Sequence, residues 1–169
     1  MQRTIMIFPQ FDNIDVINRI RDKYDPLAKL VKPHITLVFP FDSEITNEQL
    51  EEILNSCIKE KSFEIVMHGF SKQMDRFGNY LFLDMEKVND IVESLHNRLY
   101  KEYFKIYNLG LPYKPHITVG KLGNIQELNK AFESVSHIDD KFITVVDKIS
   151  VEMIGENEES IIVIEKKLL

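Results

Sequence analysis

Cysteine is almost missing from this chain: Cys57 is the only one among 169 residues. An intramolecular disulfide and a cysteine-based zinc site are therefore excluded. Leu50, Ile53, Leu54 and Ile58 surround Cys57 at helical spacing, so it reads as a small core residue. A lone thiol fits a reducing compartment. No apolar run approaches the roughly 18 residues that a membrane span requires. The opening MQRTIMIFPQFDN has neither a long apolar stretch nor a small-residue cleavage site, so a cytoplasmic protein without a signal peptide is expected.

Other absences narrow the function. No Pro/Gly/Ser-rich linker and no low-complexity tract divides the chain, and one bilobal domain over 1–169 is expected. The net charge is −6, whereas a non-specific nucleic-acid coat protein is normally basic. A small, locally positive site on an acidic surface remains compatible with that charge. There is no G-x-x-x-x-G-K-[ST] loop, no G-x-G-x-x-G turn and no H-E-x-x-H helix, so neither ATP nor a dinucleotide is indicated as cofactor. The acidic stretch Glu156–Glu159 is interrupted by Asn157 and reads as a solvated turn, not a calcium loop.

What is present is enough apolar residue for a core, 44% hydrophobic against 28% charged, in an alternating order of elements. Strands are expected over 3–8, 34–39, 63–70 and 116–121. Residues 72–77 and 79–85 read as a hairpin turning near Gly78, and 142–154 with 160–168 as another around Gly155–Glu159. Helices are expected over 13–24 with Asp12 as cap, from Thr46 to about Lys59 with a Thr-x-x-Gln capping box, over 87–103, and over 124–136. Strands mixed with hairpins favour mainly antiparallel sheets over a parallel, doubly wound one.

One pentapeptide occurs twice. Lys-Pro-His-Ile-Thr fills 32–36 and again 114–118, each time at the start of a strand with helical sequence further on. Pro at a strand start followed by β-branched residues is an ordinary opening, but it does not require His and Thr in the same two places. Side chains alternate along a strand, so His34 and Thr36 share one face while Ile35 and Leu37 take the other. His116 and Thr118 stand likewise against Ile117 and Val119. Two lobes packed about an approximate two-fold axis would bring the His-Thr pairs face to face across a central cleft. One imidazole can then take a proton from an attacking nucleophile and the other give one to a leaving oxygen, since an unperturbed pKa of about 6.5 makes both states accessible. Thr hydroxyls can donate to phosphoryl oxygens.

The tetrapeptides His34-Ile35-Thr36-Leu37 and His116-Ile117-Thr118-Val119 resemble the paired H-x-T-x signature of the two-histidine phosphoesterases, which include the RNA cyclic phosphodiesterases also called 2′-5′ RNA ligases. The chain also resembles a group of small, uncharacterised bacterial members. Motif separation and element order are similar, so the resemblance covers most of the chain. It implies a bilobal α+β fold with two mainly antiparallel sheets, outer helices and a central cleft. It also implies His34 and His116 as the acid–base pair, Thr36 and Thr118 as phosphate holders, and chemistry without a metal or cofactor. The implied substrate is a 2′,3′-cyclic phosphate on an RNA end or small nucleotide, opened by water to a phosphomonoester, with 2′-5′ ligation as the reverse step. Many RNA-directed relatives carry an Arg soon after the second motif, where this chain has Val119-Gly120-Lys121. Simple alternation turns Lys121 toward the core, unless a bulge at Gly120 redirects it.

The remaining candidates have two readings each. Lys32 and Lys114 either attract a phosphate or are solvated lysines at strand edges. Tyr113 either stacks a base at the cleft mouth or packs into the core. Phe39 and Phe41 are assigned to the core. His68 either lines the cleft or is structural. His96 borders an apolar helix stripe and is read as structural, and His137 as an exposed loop residue. Asp75–Gly78 is ordinary turn chemistry or a substrate-touching tip. Two rivals to an enzyme remain. One is a nucleotide- or phosphometabolite-binding module on the same fold. The other is a His-based metal protein, which needs a further ligand beside His34 and His116.

Overall fold

The computed structural model describes all residues, 1–169. Eight strands and four α-helices follow the order β1 (Gln2–Ile7), α1 (Ile14–Tyr24), β2 (Ile35–Asp42), α2 (Asn47–Cys57), β3 (Phe63–Asp75), β4 (Gly78–Met85), α3 (Ile91–Leu99), β5 (His116–Leu122), α4 (Ile125–Val135), β6 (Phe142–Val146), β7 (Lys148–Ile154) and β8 (Ser160–Lys167). They form two four-stranded sheets, β2-β1-β7-β8 and β5-β4-β3-β6. Every pairing is antiparallel. The architecture is α+β, as the mixed hairpins suggest.

The two halves of the chain repeat one another: β1-α1-β2-α2 in the first, β4-α3-β5-α4 in the second. Their helices are exchanged. α1 packs on β5 of the second sheet and α3 on β2 of the first, while α2 contacts β8 and α4 contacts β3, β4 and β5. One apolar cluster accordingly draws Ile17 from α1, Leu50 from α2, Leu95 from α3 and Leu128 from α4, together with residues of both sheets. The exchange follows from where the apolar stripes fall. α1 buries Ile17 and Ile20, and α3 buries Val92, Leu95 and Leu99.

Several boundaries differ from expectation for local reasons. Asp12 does not cap α1. Asn13 is the N-cap residue, and its side chain donates to the Lys141 carbonyl (3.1 Å) instead of capping. The box of Thr46 and Gln49 does form, at 3.2 and 2.9 Å. The expected helix over 87–103 starts only at Ile91, because Asn89 accepts from the Ile91 N–H (3.0 Å) and donates to the Glu64 carbonyl (2.9 Å). Val88 is left exposed. Beyond Leu99 the helix widens into a π turn, Tyr100–Phe104, and a 3₁₀ turn, Lys105–Tyr107. Residues 63–70 and 72–77 are not two strands but the single β3, irregular at His68–Gly69, where Gly69 has φ 78°. The expected strand over 142–154 is two. β6 pairs with β3 and β7 with β1, so Asp147 is the crossover between sheets, its carbonyl accepting from Leu168 N (2.8 Å).

Candidate active site

The two repeated motifs lie on β2 and β5, the edge strands of their respective sheets, and these two strands are in contact. Ile35, Leu37, Ile117 and Val119 are fully buried, which anchors each strand, while His34, Thr36, His116 and Thr118 are half-buried.

Each imidazole is held in the same way. His34 Nδ1 lies 2.8 Å from the Lys32 carbonyl, and His116 Nδ1 2.7 Å from the Lys114 carbonyl. A carbonyl only accepts, so Nδ1 carries the hydrogen and the neutral ring keeps its lone pair on Nε2. The Pro between Lys and His holds the preceding residue in extended backbone, and the Lys carbonyl sits beside the ring. Burial pushes both pKa values down. His116 falls to about 4, with its bond to Lys114 and the charge of Asp84 opposing the fall, and the charges of His34 and Lys114 adding to it. His34 is lowered by burial and by Arg21, against its bond to Lys32 and the charge of Asp25. The rings differ in their neighbours. Phe82 stacks on His116 at 3.6 Å and 19°, whereas Phe8 only tilts toward His34 at 6.0 Å.

A bulge follows each Thr. Thr36 pairs with Met6 and Val38 with Ile5, leaving Leu37 unpaired. Thr118 pairs with Phe82 and Gly120 with Leu81, leaving Val119 unpaired. The extra residue reverses the alternation beyond it. Lys121 therefore pairs with Tyr80 on the face of His116 and Thr118, exposed, with its ammonium 5.5 Å from the Tyr80 ring. It makes no ion pair. Neither Thr hydroxyl has a hydrogen-bond partner within the protein.

The other candidates fall as follows. Lys32 is exposed. Lys114 pairs with Asp84 (3.0 Å), which also accepts from Ser71 Oγ (2.8 Å). The Tyr113 hydroxyl donates to the Thr36 carbonyl (2.8 Å), and its ring stacks on His96 at 3.5 Å and 5°. Phe41 is buried and Phe39 half-buried. His68 lies between Glu86 (3.0 Å) and Asp139 (2.8 Å), partners that lie far from it in sequence. The Asp75–Gly78 tip is an ordinary turn in which Asp75 accepts from Phe77 N, with Arg76 donating to the Leu109 carbonyl (2.7 Å).

Sequence reasoning passed over Arg21, Tyr80, Phe82 and Asp84 and left His96 as a border residue. Tyr80, Phe82 and Asp84 alternate along one strand, which is a visible signal, but only the β4–β5 register shows that their face is the motif face. The i,i+4 spacing of Arg21 and Asp25 is a visible signal for a pair, but only the structure shows that the pair (2.8 Å) is buried and lies beside His34. Two surface hollows, of about 440 Å³ between the ends of α1 and α4 and about 460 Å³ along α2, include none of the motif residues. No group of three or more His, Cys, Asp or Glu side chains is placed to hold a metal ion. No helix is long and apolar enough to cross a membrane.

The backbone is similar to solved structures over almost its whole length. Escherichia coli LigT complexed with ATP superposes with a TM-score of 0.66 at 16% identity, covering 99% of this chain and 97% of that one. The protein TT0787 of Thermus thermophilus gives 0.63 at 15% identity, with the same coverage of both chains. At such identities the likeness concerns the fold. Sequence relatives are nearer. A Bacillus mycoides protein and a Bacillus cereus protein, each named "Putative phosphoesterase", are 33% identical over 130 residues, 72% of this chain and 70% of theirs. With the family model of the 2′-5′ RNA ligase superfamily matching residues 8–151, the chain belongs to that superfamily and is a phosphoesterase of the two-histidine type.

Proposed function

We propose that this phosphoesterase opens 2′,3′-cyclic phosphates at RNA ends or on small nucleotides, with His34 and His116 as the acid–base pair. The observation that carries the reading is the identical tether of the two imidazoles, which leaves Nε2 free on both. In this reading the cyclic phosphate rests against the Thr36 and Thr118 hydroxyls, which have no partner of their own, and Lys121 adds positive charge on the same face. The phosphate is anionic, and its approach favours a protonated imidazole beside it. That protonated ring is the acid. The neutral ring takes a proton from water as its oxygen attacks phosphorus, and the acid gives its proton to the departing ribose oxygen. One P–O bond forms and one breaks, and a phosphomonoester and a free hydroxyl result. An RNA 5′-hydroxyl attacking in place of water would open the ring in the same direction and, with the 3′ oxygen departing, give a 2′-5′ linkage. No metal or nucleotide cofactor has a part. LigT crystallised with ATP and with 3′-AMP supports a nucleotide as the substrate class.

The test is hydrolysis of an RNA oligomer ending in a 2′,3′-cyclic phosphate, in EDTA, by the wild type, His34→Ala and His116→Ala. Turnover by the wild type, with a loss of at least about 100-fold in each variant, supports the reading. Full activity in either variant removes it. Nucleotide binding without turnover by the wild type would favour a non-catalytic binding module.

A further inference from the structure

The two sheets have four edge strands, β2 and β8 in the first, β5 and β6 in the second. Three of them are engaged. β2 and β5 are in contact with each other. On β8, Ser160 N donates to the Leu30 carbonyl (3.1 Å) at one end, and Leu169, just beyond the other end, bonds to Glu60 and Ser62 (3.0 and 3.1 Å). β6 pairs with β3 alone. Outside that ladder, no backbone–backbone hydrogen bond involves Phe142–Val146. The segment after β1 bonds to this stretch through side chains, Thr144 Oγ1 donating to the Gln10 carbonyl (2.8 Å) and Asn13 to the Lys141 carbonyl (3.1 Å).

A free edge of this composition invites pairing. Phe142-Ile143-Thr144-Val145-Val146 is rich in strand formers and contains no Gly, Pro or charge to discourage a partner strand. Phe142 and Val146 belong to the core, while Ile143 and Val145 project from the other face, 51% and 57% exposed. Val66 lies opposite Ile143 on β3 and continues that apolar face. Lys141 and Asp147 bracket the strand at the same spacing of two, and both are exposed. Lys141 shares Glu86 with His68 of β3 (3.2 and 3.0 Å), and Asp147 makes no ion pair. The outward row therefore runs Lys-Ile-Val-Asp, positive at one end, negative at the other and apolar between.

We infer that β6 is an interface for a second copy of this chain, with the two β6 strands antiparallel about a two-fold axis at Thr144. In that register Ile143 stands opposite Val145 of the second copy and Lys141 opposite Asp147, each pair occurring twice by symmetry. The row is thus complementary to its own reverse. A slip of two residues sets Lys141 opposite Val145 in one direction and Asp147 opposite Ile143 in the other, so charge and apolar contact select the same register. Strand addition of this kind supplies main-chain hydrogen bonds to the free edge and covers the exposed valine and isoleucine. It joins two four-stranded sheets into one of eight. β5, with its H-x-T motif, lies at the opposite edge of each, so both candidate sites stay open. The inference is independent of the reaction proposed above.

Sedimentation equilibrium of the wild type should show a monomer–dimer equilibrium with Kd on the order of 10–100 µM, as suits a contact of one strand edge. Lys141→Glu sets Glu opposite Asp147, and Asp147→Lys sets Lys opposite Lys141. Each variant alone should weaken the dimer by at least about tenfold. An equimolar mixture of the two restores both opposite-charge pairs and should dimerise as the wild type does. Amide exchange gives a reading without any variant: the amides of 142–146 should exchange more slowly as wild-type concentration rises through the Kd. A wild type that stays monomeric up to about 500 µM, a dimer indifferent to both substitutions, or a mixture that fails to dimerise would each overturn the inference.

Discussion

The Tyr113 hydroxyl donates to the Thr36 carbonyl across 2.8 Å, tying the segment before the second motif to the strand of the first. Two more side chains hold the same bulged stretch. His96 donates from Nδ1 to the Leu37 carbonyl (2.8 Å), and the Tyr100 hydroxyl accepts from Phe39 N (3.0 Å). Stacking of Tyr113 on His96 locks the first two together. Tyr113→Phe keeps the ring and removes one bond. It should cost about 0.5–1.5 kcal/mol, or a Tm loss of roughly 1–6 °C. Because the bond sets the spacing of the two motifs, kcat should fall by roughly threefold to tenfold with little change in KM. Calorimetry and steady-state kinetics on the one variant check both.

The two imidazoles set the pH response. Catalysis by the proposed mechanism needs one neutral ring and one protonated ring. In the free enzyme both titrate below the ordinary value near 6.5, His116 at about 4. Falling pH removes the base and rising pH removes the acid, so kcat/KM should peak below pH 6.5. An optimum above pH 7 would contradict this.

The same shift bears on stability. A histidine whose folded pKa is depressed contributes stability that is complete above its unfolded pKa and is lost as pH falls toward the folded one. For His116 the loss runs from about 6.5 down to about 4. Tm of the wild type should therefore drop over that window, and His116→Asn should flatten the drop. Equal slopes in the two proteins would assign the acid sensitivity to other groups.

Much of this was legible beforehand and some was not. The H-x-T pairs, the Thr46 cap and the mixed antiparallel order are local patterns, and local patterns survive folding. The bulges at Leu37 and Val119 are not local. They depend on which residue of β1 or β4 lies opposite, and no alternation in one strand encodes its neighbour's register. The crossover at Asp147 escaped for a related reason. Neither Gly nor Pro interrupts 142–154, so a run that changes sheets reads as one long strand. His68 could be placed on a face but not given its partners Glu86 and Asp139, which come from other elements.

Arg21 and Asp25 are both buried, and removing one charge strands the other. Arg21→Met should destabilise by about 3–5 kcal/mol, and Arg21→Met with Asp25→Leu should recover much of that loss. The single variant also changes the field at His34. Arg21 lowers its pKa and Asp25 raises it, so losing Arg21 alone must raise it. NMR titration of the His34 ring in the folded variant should show that upward shift, and a downward one would place the pair electrically apart from the site.

Gly120 combines the two long-range features in one residue. It follows the bulged Val119, and a Cβ built on it would stand 2.9 Å from Cβ of Tyr24, where α1 packs on β5. Neither backbone can yield without moving the other sheet's helix, because α1 enters from the first half of the chain. Gly120→Ala should cost about 1–3 kcal/mol, read as a lower urea midpoint. Displacement of β5 at the bulge would also turn Lys121 away from the face of Thr118. KM for a cyclic-phosphate nucleotide should then rise in Gly120→Ala, as it should in Lys121→Met, whose stability should stay within about 0.5 kcal/mol of the wild type because the side chain is exposed and unpaired. A rise in KM for Lys121→Met alone, with Gly120→Ala merely less stable, would separate the charge from the bulge that aims it.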